Sequence, residues 1–201
     1  MYVPGKFQQD ENELWTILSE AAAGTFVIQV AGELRSVLAP VMVSEDRATV
    51  TVHLAKANPW WRDVSDGTSV LGLFLAASAY VSPTYYPSLA EYKNHVPTWN
   101  YALVELRGTV TIHQDPEWLL RQVTELSNHF EEGRTPRWWV DDAPSEYLDK
   151  QLRAIVGVEI TVTGIEGAAK LSQNRLDEDR QSVEQHLANG TLSEQNTARF
   201  M

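Results

Sequence analysis

Hydrophobic positions change their period several times along the chain, and each change marks an element. "MYVPGKF" reads as an extended arm. In "DENELWTILSEAAAG", Leu14, Leu18 and Ala21 recur at helical spacing, with acids at the start and Gly24 beyond the end, which predicts a short amphipathic helix. "TFVIQVAGELRSVLAPVMVSEDRATVTVHL" carries three β-rich runs broken at "AGE" and "SEDR". In the third, Val50, Val52 and Leu54 alternate with Thr49, Thr51 and His53, the pattern of a half-buried strand in an antiparallel meander. "AKANPWWRDVSDG" predicts one helical turn and a loop. It leads into the apolar strand "SVLGLFLAASAYVS" and the Pro- and Tyr-rich connection "PTYYPSLAEYKNHVP", too long to be inert.

From Thr98 to His113 the alternation returns, with Gly108 as a bulge or crossing point. A helix follows in "DPEWLLRQVTELSNHFEEG": Asp115 is its N-cap, Pro116 takes the first position, and Leu119, Val123, Leu126 and Phe130 form one face. Beyond the loop "RTPRWW", Leu148, Leu152 and Ile155 again keep helical spacing, and "VGVEITVTGIEG" reads as the closing strand. The last thirty or so residues are polar, with a thin stripe of Leu176, Val183 and Leu187, and predict a helix on the surface or on a partner chain. Residues 1–175 are thus expected to form one domain with inserted helices, and 176–201 a polar helical tail. Six or seven strands with helices interposed singly predict a mainly β (α+β) fold, a small antiparallel barrel with peripheral helices, rather than a parallel sheet of regular βαβ units.

Composition narrows the function classes. The 201 residues are 43% hydrophobic and 9% aromatic, ample for a core. No stretch reaches the roughly 18 apolar residues of a membrane span, and no leader pattern opens the chain, so a cytoplasmic, membrane-free protein is expected. Cysteine is absent, which excludes disulfides, zinc-thiolate sites and a cysteine nucleophile. A net charge of −11 opposes non-specific attraction to phosphate backbones, so nucleic-acid binding would need a local basic patch. The sequence lacks the glycine-rich nucleotide loops, the zinc-protease helix motif and the nucleophile elbow. Five histidines, His53, His95, His113, His129 and His186, are scattered without ligand spacing, so no metal site is expected.

Four polar and aromatic clusters remain, each at the end of a predicted strand: "HLAKANP", "YVSPTYY", "VPTWNY" and "KLSQNR". Each mixes hydroxyl, amide or cationic donors with a flat ring or a fixed turn. That mixture suits a planar heteroaromatic ligand bearing a phosphate: rings stack, amides read the edges of the ligand, and Lys or Arg with hydroxyls holds the anion. Singly, each cluster has a plainer reading, in which Tyr80, Trp99 and Tyr101 are core rings and the Ser, Asn and Pro residues make turns. "KLSQNR" places Lys170 and Arg175 around Ser-Gln-Asn with no carboxylate, in a chain with only sixteen Lys and Arg. It suits an anion, or else a solvated loop whose charges offset the following "DEDR".

The order "MYVPGKF", "HLAKANPWW", "AYVSPTYY", "VPTWNYALVELRG", "IVGVEI" and "IEGAAKLSQNR" closely resembles the PaiB-like family of FMN-binding negative transcriptional regulators, from Met1 to about Leu187. The resemblance implies a split antiparallel β-barrel of the FMN-binding, pyridoxamine-phosphate-oxidase-like type, assembled as a homodimer with FMN in clefts between subunits. It also implies the residues at the cofactor. His53, Lys56 and Asn58 look like the polar element after the third strand, and Tyr80, Ser82 and Pro83 like the one after the fourth. Thr98, Trp99 and Asn100 match the central motif, with Trp99 and Asn100 at a cleft wall. Lys170, Ser172, Gln173, Asn174 and Arg175 match the last motif and are expected at the phosphate. Two places depart from the family pattern: Val37 stands where a His tends to precede Leu-Pro, and Ala76 and Ala77 replace a more polar or Gly-containing turn.

The resemblance favours a flavin-binding regulator acting on DNA or on a partner protein, and the charge weighs against DNA. The alternatives are an FMN-dependent oxidoreductase, its catalytic residues unassigned, or a binding module for another planar ligand such as haem or pyridoxal phosphate.

Overall fold

The alternating runs become strands and the 3.6-period runs become helices. The structure, a computed structural model, describes residues 1–91 and 93–201; Tyr92, within the Pro- and Tyr-rich connection, lies outside the described residues. In chain order the elements are α1 (Glu11–Ala21), β1 (Ala23–Val30), β2 (Glu33–Pro40), β3 (Met42–Val43), β4 (Thr49–Ala55), β5 (Ser69–Val81), β6 (Thr98–His113), α2 (Pro116–Glu131), α3 (Ser145–Ala154), β7 (Ile155–Lys170), α4 (Asp177–Ala188) and α5 (Leu192–Ala198). The strands form one seven-stranded sheet in the order β2-β1-β5-β6-β7-β4-β3, and the pairs β1–β2, β3–β4 and β4–β7 run antiparallel. The mainly β fold with peripheral helices is therefore as expected. The chain divides into two units, one of residues 1–21, 73–105 and 165–201, the other of residues 22–72 and 106–164.

In the second unit, β1 and β2 are joined by a two-residue turn in which Ala31 (φ +50°) and Gly32 (φ +86°) are both left-handed. Two positive φ values give the turn a twist that matches its flanking strands. Val50, Val52 and Leu54 of β4 lie opposite Ile160, Val158 and Val156 of β7, and all six are buried. Gly108 of β6 is a point of close approach, since a Cβ there would come within 2.5 Å of both the Ile160 side chain and the Thr161 carbonyl oxygen. Asp115 caps α2 by accepting from the Trp118 backbone N–H at 2.9 Å. The Trp118 ring lies over Gly157, where a Cβ would collide with it, and stacks on His113 at 4.1 Å between centroids. The buried face of α2 is Leu119, Gln122 and Leu126; Phe130, expected on that face, is 37% exposed beside His129. The face turns toward Gln122 because its amide oxygen meets His53 Nδ1 at 2.9 Å.

In the first unit, residues 5–7 of the expected extended arm form a single 3-10 turn that buries Phe7. Helix α1 buries Leu14, Trp15, Ile17 and Leu18. It ends at Ala22 (φ +57°), whereas Gly24, expected to close it, already belongs to β1. Only one residue separates helix from strand, so the left-handed conformation falls on an alanine.

Strand β5 alternates regularly until Ala76 and Ala77, both buried, slip the pattern by one residue, the signature of a bulge. Past the slip, Ser78 and Tyr80 face outward. The backbone here is bonded by side chains of α5: Asn196 Nδ2 donates to the Ala76 carbonyl at 2.6 Å, Ser193 Oγ to the Ser78 carbonyl at 2.7 Å, and the Ser78 N–H donates to Thr197 Oγ1 at 3.0 Å. The polar tail forms two helices, α4 and α5, rather than one. Val183, Leu187 and Ala198 are buried against Ala79, Val81 and Tyr86, while Leu176, the first member of the expected stripe, is exposed.

Candidate functional site

Strand β7 ends at Lys170 and the chain turns sharply through residues 171–175. Ser172 sits in the left-handed region (φ +63°), a conformation costing a non-glycine residue about 1–3 kcal/mol, so the turn must be held from outside. Asn100, fully buried on β6, holds it: its Nδ2 donates to Ser172 Oγ at 3.0 Å. Gln173 closes it, accepting from the Leu171 N–H at 2.7 Å and donating to the Ala169 carbonyl at 2.6 Å. Two of the expected site residues thus build the loop.

Others face a cavity of about 170 Å³ lined by Lys6, Phe7, Thr98, Asn100, Lys170, Ser172, Asn174 and Arg175. Lys170 Nζ donates to Thr98 Oγ1 and, at 2.6 Å, to the Trp99 carbonyl oxygen. Burial, then the nearby Arg175 and Lys6 charges, hold the Lys170 ammonium below its ordinary pKa of 10.5. Arg175 packs over the Tyr86 ring, 4.8 Å from its centroid, and lies 3.4 Å from His95 Nδ1. Burial raises the Tyr86 phenol above its ordinary range, opposed by Arg175. Three cations, two hydroxyls and two amides therefore line one cavity without a carboxylate, in a chain of net charge −11. An anion of phosphate size would offset both the burial of the Lys170 ammonium and the like charges of Arg175 and Lys6 beside it, so the donor set fits the phosphate of FMN.

Trp99 and Tyr80 stand on the outward face of the same unit, 50% and 44% exposed, in an edge-to-face pair with centroids 6.1 Å apart. Trp99 Nε1 donates to Ser78 Oγ at 2.8 Å, so the slip at Ala76 and Ala77 is what brings Ser78 to the indole. Ser82 caps the 3-10 turn 83–85, accepting from the Thr84 N–H.

The remaining expected site residues lie in the other unit. His53 pairs with Gln122, and Asn58 caps the 59–63 turn by accepting from the Trp60 N–H at 2.9 Å. Lys56 lines a separate cavity with Gln114, Pro116, Leu119, Asp149, Leu152 and Arg153. Lys6 and Phe7 escaped the sequence reading because "GKF" has no period and no motif chemistry; the Pro-Gly before them was the available signal of a turn. Among the described residues, no group of three or more His, Cys, Asp or Glu side chains could hold a metal ion, and no helix is long and apolar enough to cross a membrane.

Compared with known families, residues 1–164 match the model described as "Putative FMN-binding domain". The chain belongs to this FMN-binding family. Its relatives include the protease synthase and sporulation protein PAI 2 of Bacillus subtilis, 32% identical over 193 residues that cover 94% of this chain and 90% of the other. Among solved structures, the flavocytochrome Anf3 of Azotobacter vinelandii superposes with a TM-score of 0.64 at 11% identity, covering 90% of this chain and 78% of that one. A FAD- and haem-binding protein of Mycobacterium smegmatis gives 0.62 at 16%, covering 92% and 80%. These two likenesses are of fold, and they bear out the split-barrel architecture. FMN is the cofactor that membership of the family assigns.

Proposed function

We propose that the cavity at the end of β7 holds the phosphate of FMN, with Lys170 and Arg175 supplying charge and Thr98, Ser172 and Asn174 supplying polar contacts. The observation that carries this reading is the carboxylate-free cluster of Lys6, Lys170 and Arg175 around one small cavity of an acidic protein. Bound FMN supplies reversible one- and two-electron chemistry at its ring. The chain's own contribution is to orient and retain the cofactor: Asn100 and Gln173 fix the turn that presents Arg175, and Trp99 anchors Lys170 through its carbonyl oxygen.

The protein acts in this reading as a homodimer. Leu75, Tyr80 and Trp99 place a large apolar area in water on the outward face of the first unit, and a second copy would cover it. Its role is regulatory, the reading that the resemblance to the PaiB-like family favours, with flavin as the signal read and a protein as the partner, since a charge of −11 weighs against DNA. It works in the cytoplasm.

Titrating flavin-free protein with FMN and with riboflavin tests the phosphate assignment. Lys170→Ala and Arg175→Ala are expected to weaken FMN binding about tenfold or more while leaving riboflavin nearly unchanged. Equal losses for both flavins, or none, would move the phosphate elsewhere. A salt-sensitive shift of genomic fragments would replace the protein partner with DNA.

A further inference from the structure

Arg175 stands at one end of a chain of hydrogen bonds whose direction is set at the other. Asp179, in the first turn of α4, is 1% exposed. Its Oδ1 accepts from the Ser88 backbone N–H at 3.0 Å and its Oδ2 from the Ser88 hydroxyl at 2.6 Å. A serine hydroxyl has one proton, and here the carboxylate takes it. Ser88 Oγ can then only accept from His95 Nε2, which lies 2.9 Å away, so that ring nitrogen carries the hydrogen. In the neutral imidazole this leaves Nδ1 as a lone pair, and an N–H of Arg175 lies against it at 3.4 Å. The buried ring of Tyr86 supports both partners, tilted on His95 with centroids 5.0 Å apart and beneath the guanidinium.

The residue types are those of a serine hydrolase, but the wiring is not. The carboxylate bonds the serine instead of the imidazole, and Ser88 is buried, so no nucleophile is presented. What the chain does present is a guanidinium bonded at one N–H by His95, backed by the Tyr86 ring and lining the cavity it shares with Lys170.

We infer that Ser88, His95 and Asp179 are positioning residues for the cofactor phosphate: as a one-way relay they aim Arg175 into the cavity without touching the ligand. This rests on the phosphate assignment made above. A long side chain fixed beforehand loses less freedom when an anion arrives, and the advantage falls on the phosphate alone.

The test is the ratio of FMN to riboflavin affinity, read by quenching of flavin fluorescence in the full-length chain. Arg175→Ala is expected to lower the ratio about tenfold. His95→Ala and Ser88→Ala are expected to lower it about three- to tenfold with riboflavin affinity unchanged. His95→Asn, which keeps an acceptor near the place of Nδ1, is expected to restore most of it. If Arg175→Ala lowers the ratio while His95→Ala and Ser88→Ala do not, the relay is overturned and the phosphate site stands. If Arg175→Ala leaves the ratio unchanged, the phosphate assignment itself falls. A parallel loss of both flavins in His95→Ala that Asn does not rescue marks a purely structural role and also overturns the relay.

Discussion

Lys170 Nζ donates to the carbonyl oxygen of Trp99 at 2.6 Å, tying the last residue of β7 to the second residue of β6 across 71 positions of sequence. With Thr98 Oγ1 taking a second N–H, one of the three ammonium donors remains for the cavity. The cation is built into the wall rather than hung over it.

That construction sets a pH dependence. Burial, Arg175 and Lys6 lower the Lys170 pKa beneath 10.5, so between the lowered value and 10.5 the unfolded chain binds more protons than the folded one. In that window the stability of the flavin-free protein rises with pH. A bound phosphate favours the charged lysine, so binding takes up protons there and FMN affinity falls as pH rises. The FMN-to-riboflavin ratio, which cancels titration of the ring the two share, is expected to be level once the phosphate is fully ionised above neutrality and to decline before the ordinary lysine range. Lys170→Met should show no such decline. Flavin titrations across alkaline pH check this, and a level wild-type ratio through the lysine range would contradict it.

A charge on the outward aromatic face should prevent self-association. Trp99→Glu puts a carboxylate against the exposed Tyr80 ring, and Leu75→Glu puts one at another exposed apolar position of β5. The wild-type chain is expected to sediment at twice 22.6 kDa and both variants at 22.6 kDa. A wild-type monomer would remove the dimer from the functional reading.

Gly157→Ala should be costly, because the added methyl group enters the Trp118 ring, itself stacked on His113. Overpacking of this kind costs about 1–3 kcal/mol. It should appear as a lower urea midpoint with an unchanged slope, and as an altered Trp fluorescence maximum.

Leu187→Ala should cost about 2–5 kcal/mol, because Leu187 is fully buried against Val81 and Tyr86. Leu176→Ala, at an exposed position of the same polar segment, should stay within about 0.5 kcal/mol of the wild type. Urea denaturation of the two variants side by side separates a packed tail from a loosely attached one.

Much of the fold was legible because alternation and capping are local. Val50, Val52 and Leu54 declared β4, and Asp115 with Pro116 declared the start of α2. The misreadings arose where a distant partner overrode a local rule. Phe130 fits the helical face by spacing, but Gln122 takes the buried position because His53 waits for its amide. Ala22 took the left-handed turn expected of Gly24 because β1 begins at once. In the site, the strand-end motifs pointed to Lys170, Arg175 and Thr98. Sequence could not separate ligand-facing members of "KLSQNR" from those that hold the turn, since Gln173 and Asn174 have the same chemistry and differ only in direction. His95 and Ser88 carried no periodic or motif signal, and Lys6 lies in "MYVPGKF", a segment the resemblance includes without giving it a role.

The clasp of Ser193, Asn196 and Thr197 on β5 has a bearing on solubility. Unbonded N–H and C=O groups at Ala76 and Ser78 would form a template on which a strand from another molecule could dock, next to the exposed Leu75 and Tyr80. By bonding those groups with side chains, the helical tail denies them to neighbours, which leaves side-chain packing as the route for any association through the aromatic face.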